Sequence, residues 1–198
     1  MNILILCAQG GVAGSTYSIS YLAKGLAERN HNVFLGLLKD TFLDSLVEGS
    51  AVKRVYMPFN GKMDKETRSI VKELIRKKNI QIINAQSSED RYVGPMINFL
   101  ARKKVKIIQT RRQNPKKMIG LNRFFQNIFN NYFCDRVVVV SEALKNIFIE
   151  RGIHADKIKV IHNGTPTDQR NTCPVRRAAG RCQRHPHEPL PGGSGATS

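Results

Sequence analysis

Two glycines, Gly10 and Gly11, follow an apolar segment at 2–7 (NILILC) and precede Gly14 and Ser15 at the head of an amphipathic stretch. A strand that feeds a glycine-rich loop and then a helix presents bare backbone N–H groups and a positive helix end to an anion. That is the chemistry of a phosphate-handling α/β module. The spacing narrows the choice. A dinucleotide fingerprint needs G-x-G-x-x-G with an acid about 20 residues on, whereas this loop reads G-G-x-x-G and Asp40 comes too late. A Walker-type loop needs Gly-Lys-Ser/Thr, but Ser15 and Thr16 stand there without a lysine. A nicotinamide cofactor is disfavoured and a nucleotide triphosphatase is excluded. The alternative is a glycine turn that only lets the following helix pack closely on the sheet.

Further along lie a polar loop, 86–90, carrying Gln86, Ser87, Glu89 and Asp90, and a basic loop, 110–114, carrying Arg111 and Arg112. His154 and His162 read as surface or packing histidines. Cys173, Cys182, His185 and His187 fit no common zinc spacing, and no metal site is expected.

The elements that must position these residues alternate. Strands are expected at 2–7, 33–38, 53–57, 81–84, 105–109, 136–140 and 159–161, and helices at 15–29, 42–48, 65–78, 92–102, 115–133 and 142–151. Ile19, Leu22, Ala23, Leu26 and Ala27 recur at helical spacing, as do Ile70, Val71, Leu74 and Ile75. Arg136 to Val140 (RVVVV) is an unbroken apolar run of the kind that a strand covered on both faces carries. Ser141 is placed to cap the next helix and Gly152 to stop it. Alternation of this kind predicts a Rossmann-like, doubly wound parallel sheet of α/β class. Ligands of such sheets sit beyond the carboxyl ends of the strands, which gathers the glycine loop, 86–90, 110–113 and Ser141 along one edge.

At 198 residues the chain can bury one good core. Cys7 and Cys134 fall at apolar strand edges without disulfide spacing, which favours a reducing compartment. The N-terminus lacks the order of a signal peptide and no apolar run approaches the length of a spanning helix, so a cytoplasmic protein is expected. The formal charge of +17 favours anionic partners. Its spread over strands, helices and loops, without a recognition motif, argues against nucleic acid. Lys116, Lys117 and Arg123 stand among Phe124, Phe125 and other apolar residues of 115–133, the makeup of a helix that can lie on an anionic bilayer or, alternatively, of a core helix with a cationic end.

Composition divides the chain at residue 168. The body, 1–168, carries 16 Lys and 11 Arg, whereas 169–198 carries 5 Arg and no Lys and is crowded with Pro, Gly, Arg and Ser. A tail so poor in apolar residues is expected to be disordered, and its abrupt change in codon character points to a frame change or foreign read-through, the alternative being a natural flexible tail.

Taken in order, these landmarks resemble the N-terminal, acceptor-side domain of family 4 glycosyltransferases of the GT-B fold. The most specific stretch runs from Cys134 through Asp135, Arg136, the valines 137–140 and Ser141 to Lys145, then Arg151-Gly152-Ile153 and 157–164 (KIKVIHNG). Gly10-Gly11 with the helix ending at 26–33 (LAERNHNV) resembles the family's start. The loops at 84–90 (NAQSSED) and 110–112 (TRR) are similar to those of members that build lipopolysaccharide core and other surface glycans. The resemblance implies retaining, metal-free transfer from a nucleotide-diphosphate sugar, the co-substrate, to a glycan or glycolipid acceptor. It implies that this chain holds one of two halves, is truncated before the donor half and is inactive alone, on the inner face of the plasma membrane or free. Under it, Gly10 and Gly11 approach the donor phosphate. Gln86, Ser87, Glu89, Asp90, Arg111 and Arg112 receive the acceptor, Asp90 alternatively capping a helix and the arginines alternatively being a solvated pair. Asn163 and Gly164 form the hinge to the missing half. Gln86 and Arg112 replace histidines that are frequent in the family, so neither supplies a usable base near neutral pH, and no catalytic residue is assigned. The competing expectation is a non-catalytic basic module that holds an anionic membrane or a partner protein.

Overall fold

The computed structural model describes residues 1–61, 64–86, 105–114 and 121–164, with 121–126 as backbone only. The predicted helix at 92–102 and the tail at 169–198 lie outside these residues. Among the described residues the chain builds strands β1 (Asn2–Cys7), β2 (Asn32–Leu37), β3 (Lys53–Tyr56), β4 (Ile82–Ala85), β5 (Lys106–Arg111), β6 (Arg136–Val139) and β7 (Ile158–Val160). Its helices are α1 (Gly14–Glu28), α2 (Phe42–Val47), α3 (Lys65–Lys78), α4 (Leu121–Tyr132) and α5 (Glu142–Glu150). The strands form one sheet in the order β3-β2-β1-β4-β5-β6-β7, and all neighbours pair in parallel. This is the Rossmann-like α/β sheet expected from the sequence.

Residue parity explains the two covered faces, because successive side chains of a strand point to opposite sides. On one face Ile3, Ile5, Cys7, Val33, Leu35 and Leu37 pack under Ile19, Ala23, Leu43 and Val47 of α1 and α2. On the other, Leu4, Leu6, Phe34, Ile83 and Ile107 pack against Val71 and Ile75 of α3. Val137 and Val139 continue that second face beneath Leu144 and Phe148 of α5. Leu4, Ile5 and Leu6 are fully buried, each such side chain contributing about 1.5–3 kcal/mol.

The sheet grows in opposite directions from its middle. From β1 the chain winds outward to β2 and β3, and from β4 it winds the other way to β5, β6 and β7. This reversal of winding between β1 and β4 is a switch point of the kind at which sheets of this class open a ligand crevice beyond the carboxyl ends of the strands.

One boundary differs from expectation in a way that matters. The strand predicted to end at residue 109 runs on through Arg111, because Thr110 and Arg111 pair with Val138 and Val139 of β6. The basic loop thus begins at Arg112.

Candidate functional site at the carboxyl edge of β1, β4 and β5

Strand β1 delivers Cys7 to the edge, where its thiol donates to the Gln9 carbonyl at 2.7 Å and fixes the base of the glycine loop. Gly10 is buried, and a Cβ there would lie 2.5 Å from Cβ and Oγ1 of Thr41. The Gly10 carbonyl also accepts from the N–H of Leu43 at 3.1 Å. Gly10 is therefore a packing glycine, seated against the start of α2. Gly11 differs, being exposed with no atom within 4 Å of a Cβ placed on it. Its carbonyl is tied down by the Thr16 hydroxyl at 2.6 Å. The alternative reading of the loop, close packing of the following helix on the sheet, is not what the glycines do: a Cβ on Gly14 also meets nothing.

Helix α1 starts without a side-chain cap. Ala13 occupies the cap position in extended backbone, and the first turn holds no acid. In contrast, Asp64 caps α3 by accepting from the N–H groups of Glu66 and Thr67, and Ser141 caps α5 by accepting from Leu144. The open positive end of α1 stands next to Gly11, a place suited to an anion.

Gln86 continues the line of β4, its N–H donating to the Leu6 carbonyl at 3.0 Å. Its Oε1 accepts from Nη1 of Arg112, and one step lower on the same face Thr110 Oγ1 donates to Asn84 Oδ1 at 3.0 Å. Parity places Cys7, Asn84, Gln86, Thr110 and Arg112 on the α1 side of the sheet. Nε of Arg112 and Nε2 of Gln86 are buried donors without a partner among the described residues. Each such group costs about 1–3 kcal/mol in a resting protein. Burial pushes the Arg112 pKa below its ordinary value, opposed only by the neighbouring Cys7 sulfur. No described carboxylate forms an ion pair with it. An arginine remains charged under these conditions. The result is a partly buried cation without a counter-ion among the described residues, at the base of the glycine loop.

Arg111 does not join it. Its Nη2 donates to Gln109 Oε1 at 3.0 Å, Gln109 Nε2 donates to Cys134 Sγ at 2.8 Å, and the guanidinium lies 5.7 Å from the Phe148 ring centre. This chain of contacts belongs to the α5 side. Neither arginine is a solvated surface residue: Arg111 is 8% exposed and Arg112 half-buried. Burial pushes the Cys134 thiol up to about 12, so it stays protonated and inert.

The segment after β7 returns to the edge. Ile161 N–H donates to Val139, His162 Nδ1 lies 3.0 Å from the Val140 carbonyl, and Asn163 Oδ1 accepts from the Ser18 hydroxyl of α1 at 3.2 Å. Asn163 is thereby fastened to the helix that carries the glycine loop, while Gly164 is exposed. Gly10, Gly11, Gln86, Arg112 and Asn163 are thus tied, directly or through one partner, to the elements of one edge. Ser87, Glu89, Asp90, Lys116 and Lys117 lie outside the described residues, as do the side chains of Arg123, Phe124 and Phe125. Sequence reasoning missed Cys7, Thr41 and Ser18 as partners of the site. Thr41 and Ser18 touch it from elsewhere in the chain, and only the parity of β1 could have flagged Cys7.

Among the described residues no group of His, Cys, Asp or Glu is arranged to hold a metal ion, and no helix is long and apolar enough to cross a membrane.

The sequence matches the profile described as Glycosyltransferase Family 4 over residues 12–169. No curated protein matches it. Among solved structures, HepE of Anabaena in complex with UDP-glucose aligns with 24% identity and a TM-score of 0.66, over 83% of this chain and 44% of that one. A glycosyltransferase from Rickettsia africae ESF-5 aligns with 18% identity and a TM-score of 0.65, over 89% and 49%. The lipopolysaccharide outer core galactosyltransferase WaaB, in its apo form, aligns with 15% identity and a TM-score of 0.57, over 83% and 46%. The chain spans about half the length of each of these structures, and at such identities the likeness is one of fold.

Proposed function

Because the chain belongs to Glycosyltransferase Family 4, we propose that it is the acceptor-side half of a transferase that moves a sugar from a nucleotide-diphosphate sugar to a hydroxyl of a surface glycan or glycolipid. The observation that carries this reading is the juxtaposition, at the point where the sheet reverses direction, of an open Gly11, an uncapped α1 and the unneutralised Arg112. As the nucleotide departs, negative charge grows on its phosphate, and the amides around Gly11 with the α1 terminus stabilise that charge without a side chain in the way. Gln86 and Arg112, with Ser87, Glu89 and Asp90 of the same loop, receive the acceptor. Arg111 acts through the sheet, holding β5 in place. Retention at the anomeric carbon without a metal fits a site where neither Gln86 nor Arg112 offers a base. The complex of HepE with UDP-glucose supports a nucleotide sugar as donor.

Aligning donor and acceptor is worth about 7–11 kcal/mol of barrier in well-oriented systems, and one half of a cleft cannot supply it. The 198-residue chain is expected to show no transfer by itself and to gain it when joined after Gly164 to a donor half of the same family. Product anomers read by NMR test retention. Full turnover by the chain alone overturns the reading, as does a completed enzyme inactive with every nucleotide sugar.

A second reading, a basic module resting on anionic membrane, is favoured by Tyr132 and Phe133, 74% and 39% exposed at the end of the aromatic segment. Flotation with anionic and neutral liposomes separates the two, because this second role requires tight, salt-sensitive binding.

A further inference from the structure

We propose that Arg112 and Gln86 together form a receptor for a phosphomonoester on the acceptor, so that the substrate class is a phosphorylated glycan or glycolipid; this rests on the acceptor-side reading above.

Three observations support it. Gln86 is 9% exposed and its Oε1 is committed to Nη1 of Arg112, which orients the amide and leaves Nε2, a buried donor with two hydrogens, without a partner among the described residues. Arg112 Nε is buried and equally unserved. Both groups are donors only, and among the described residues no carboxylate is paired with them. Groups of this kind are matched by an anion that brings acceptor oxygens of its own. A phosphomonoester offers three terminal oxygens and close to two negative charges, whereas a carboxylate offers two oxygens and one charge. The pair is also held rigidly. Gln86 is fixed through its N–H to Leu6, and Arg112 directly follows the last residue of β5 to pair with β6.

The shared chemistry, phosphate, could arrive on the acceptor or on the nucleotide, and the arms of the experiment separate these sources. Calorimetric titration of the full chain with glucose 6-phosphate, UDP and glucuronate should rank glucose 6-phosphate as the ligand most dependent on Arg112. Arg112→Gln is expected to weaken it at least tenfold. Gln86→Glu, which keeps the shape of the side chain but places a carboxylate on the guanidinium, is expected to do the same while leaving Tm equal or higher. That second variant decides the matter if Arg112→Gln does not fold. Arg76→Gln, an exposed residue of α3 on the opposite face, removes the same charge and should change affinity less than twofold. Unchanged affinity in Gln86→Glu, or a greater Arg112 dependence for UDP or glucuronate, overturns the receptor. In the completed two-half enzyme, equal transfer to phosphorylated and unphosphorylated acceptors overturns it while leaving the transferase intact. Arg112-dependent binding of glucose 6-phosphate without any transfer supports the receptor and overturns the transferase.

Discussion

The β6–α5–β7 end of the sheet and the crevice between β1 and β4 use their polar residues differently. At the first, most polar groups are spent on the chain itself, the buried Asn130 Oδ1 of α4 being an exception among the described residues. Asp135 accepts from Lys106 and from the Ile107 N–H at 2.8 Å each, Ser141 caps α5, and Asn127 and Asn131 of α4 donate to the carbonyls of Arg151 and Gly152 at 2.6 and 2.9 Å. At the second, Gln86 and Arg112 hold buried donors without partners and α1 begins uncapped. The stretch whose sequence most resembles family 4, 134–164, is thus largely scaffold, and the less distinctive glycines and loops hold the groups kept for a ligand. A specific motif marks ancestry, whereas the pair of unsatisfied donors that share one face at the carboxyl edge marks the site.

The contrast can be broken most forcefully at Phe148, 3% exposed and beneath the Arg111 guanidinium. Phe148→Ala is expected to cost about 3–5 kcal/mol in chemical denaturation, because it opens a cavity and strips the stacking face from a buried cation. A loss below 1 kcal/mol would mean that this end is not the scaffold described.

Asn131→Ala comes next. It removes the donor to Gly152 and the Oδ1 acceptor of the His154 N–H at 3.0 Å, at about 1–3 kcal/mol. Gly10→Ala should cost a similar amount, since the added methyl meets Thr41. Thr41→Gly is expected to recover most of that loss in a double-mutant cycle, whereas Gly11→Ala should shift stability by less than about 1 kcal/mol and still impair transfer in the completed enzyme. Equal costs at Gly10 and Gly11 would erase the division between a packing glycine and an open one.

Arg112→Met sharpens the comparison from the other side. Replacing a desolvated cation that has no counter-ion among the described residues by an apolar chain of similar length is expected to leave Tm unchanged or slightly raised, while anion binding is lost. A protein that loses function and keeps its stability there, and does the reverse at Phe148, has the two regions assigned correctly.

The sheet, its parallel order and the helix boundaries near the caps were legible because apolar runs, Ser141 and Gly152 act locally. Gly152 has φ +93°, where an added side chain would be strained. The site was legible only in part. Gly10 and Gly11 look alike in sequence, and Thr41, which separates their roles, is 30 residues away. Arg111 and Arg112 are adjacent and in sequence alone form one basic grip, yet continuation of β5 through residue 111 sends them to opposite faces. Strand ends depend on pairing with a distant neighbour, here Val138 and Val139, and no window along the chain contains that information.

The smallest expected effect concerns pH. The Thr67 hydroxyl, and then the N–H groups of Asn60, Glu66 and Thr67, hold the Asp64 carboxyl below its ordinary pKa. The folded state therefore binds fewer protons than the unfolded one around that value, and stability rises with pH there. The contribution is complete above the unfolded pKa, about 3.9, and fades as pH falls through the lower folded value. Asp64→Asn keeps a side chain able to cap α3 but cannot titrate, so the fall in Tm between pH 5 and pH 3, about two units across the transition, should be shallower in the variant. Asp135, which burial pushes up but Lys106 and the Ile107 N–H together hold below its ordinary value, and Glu73, lowered by Lys77, titrate in the same direction and contribute to the slope that remains. Because these carboxylates belong to the scaffold, Arg112-dependent binding of a phosphomonoester should weaken only as the ligand itself takes up one proton at about pH 6, until the fold itself loosens at lower pH. A loss steeper than that single ligand protonation, with Tm still unchanged, would place a titrating group inside the receptor and join the two regions that the fold keeps apart.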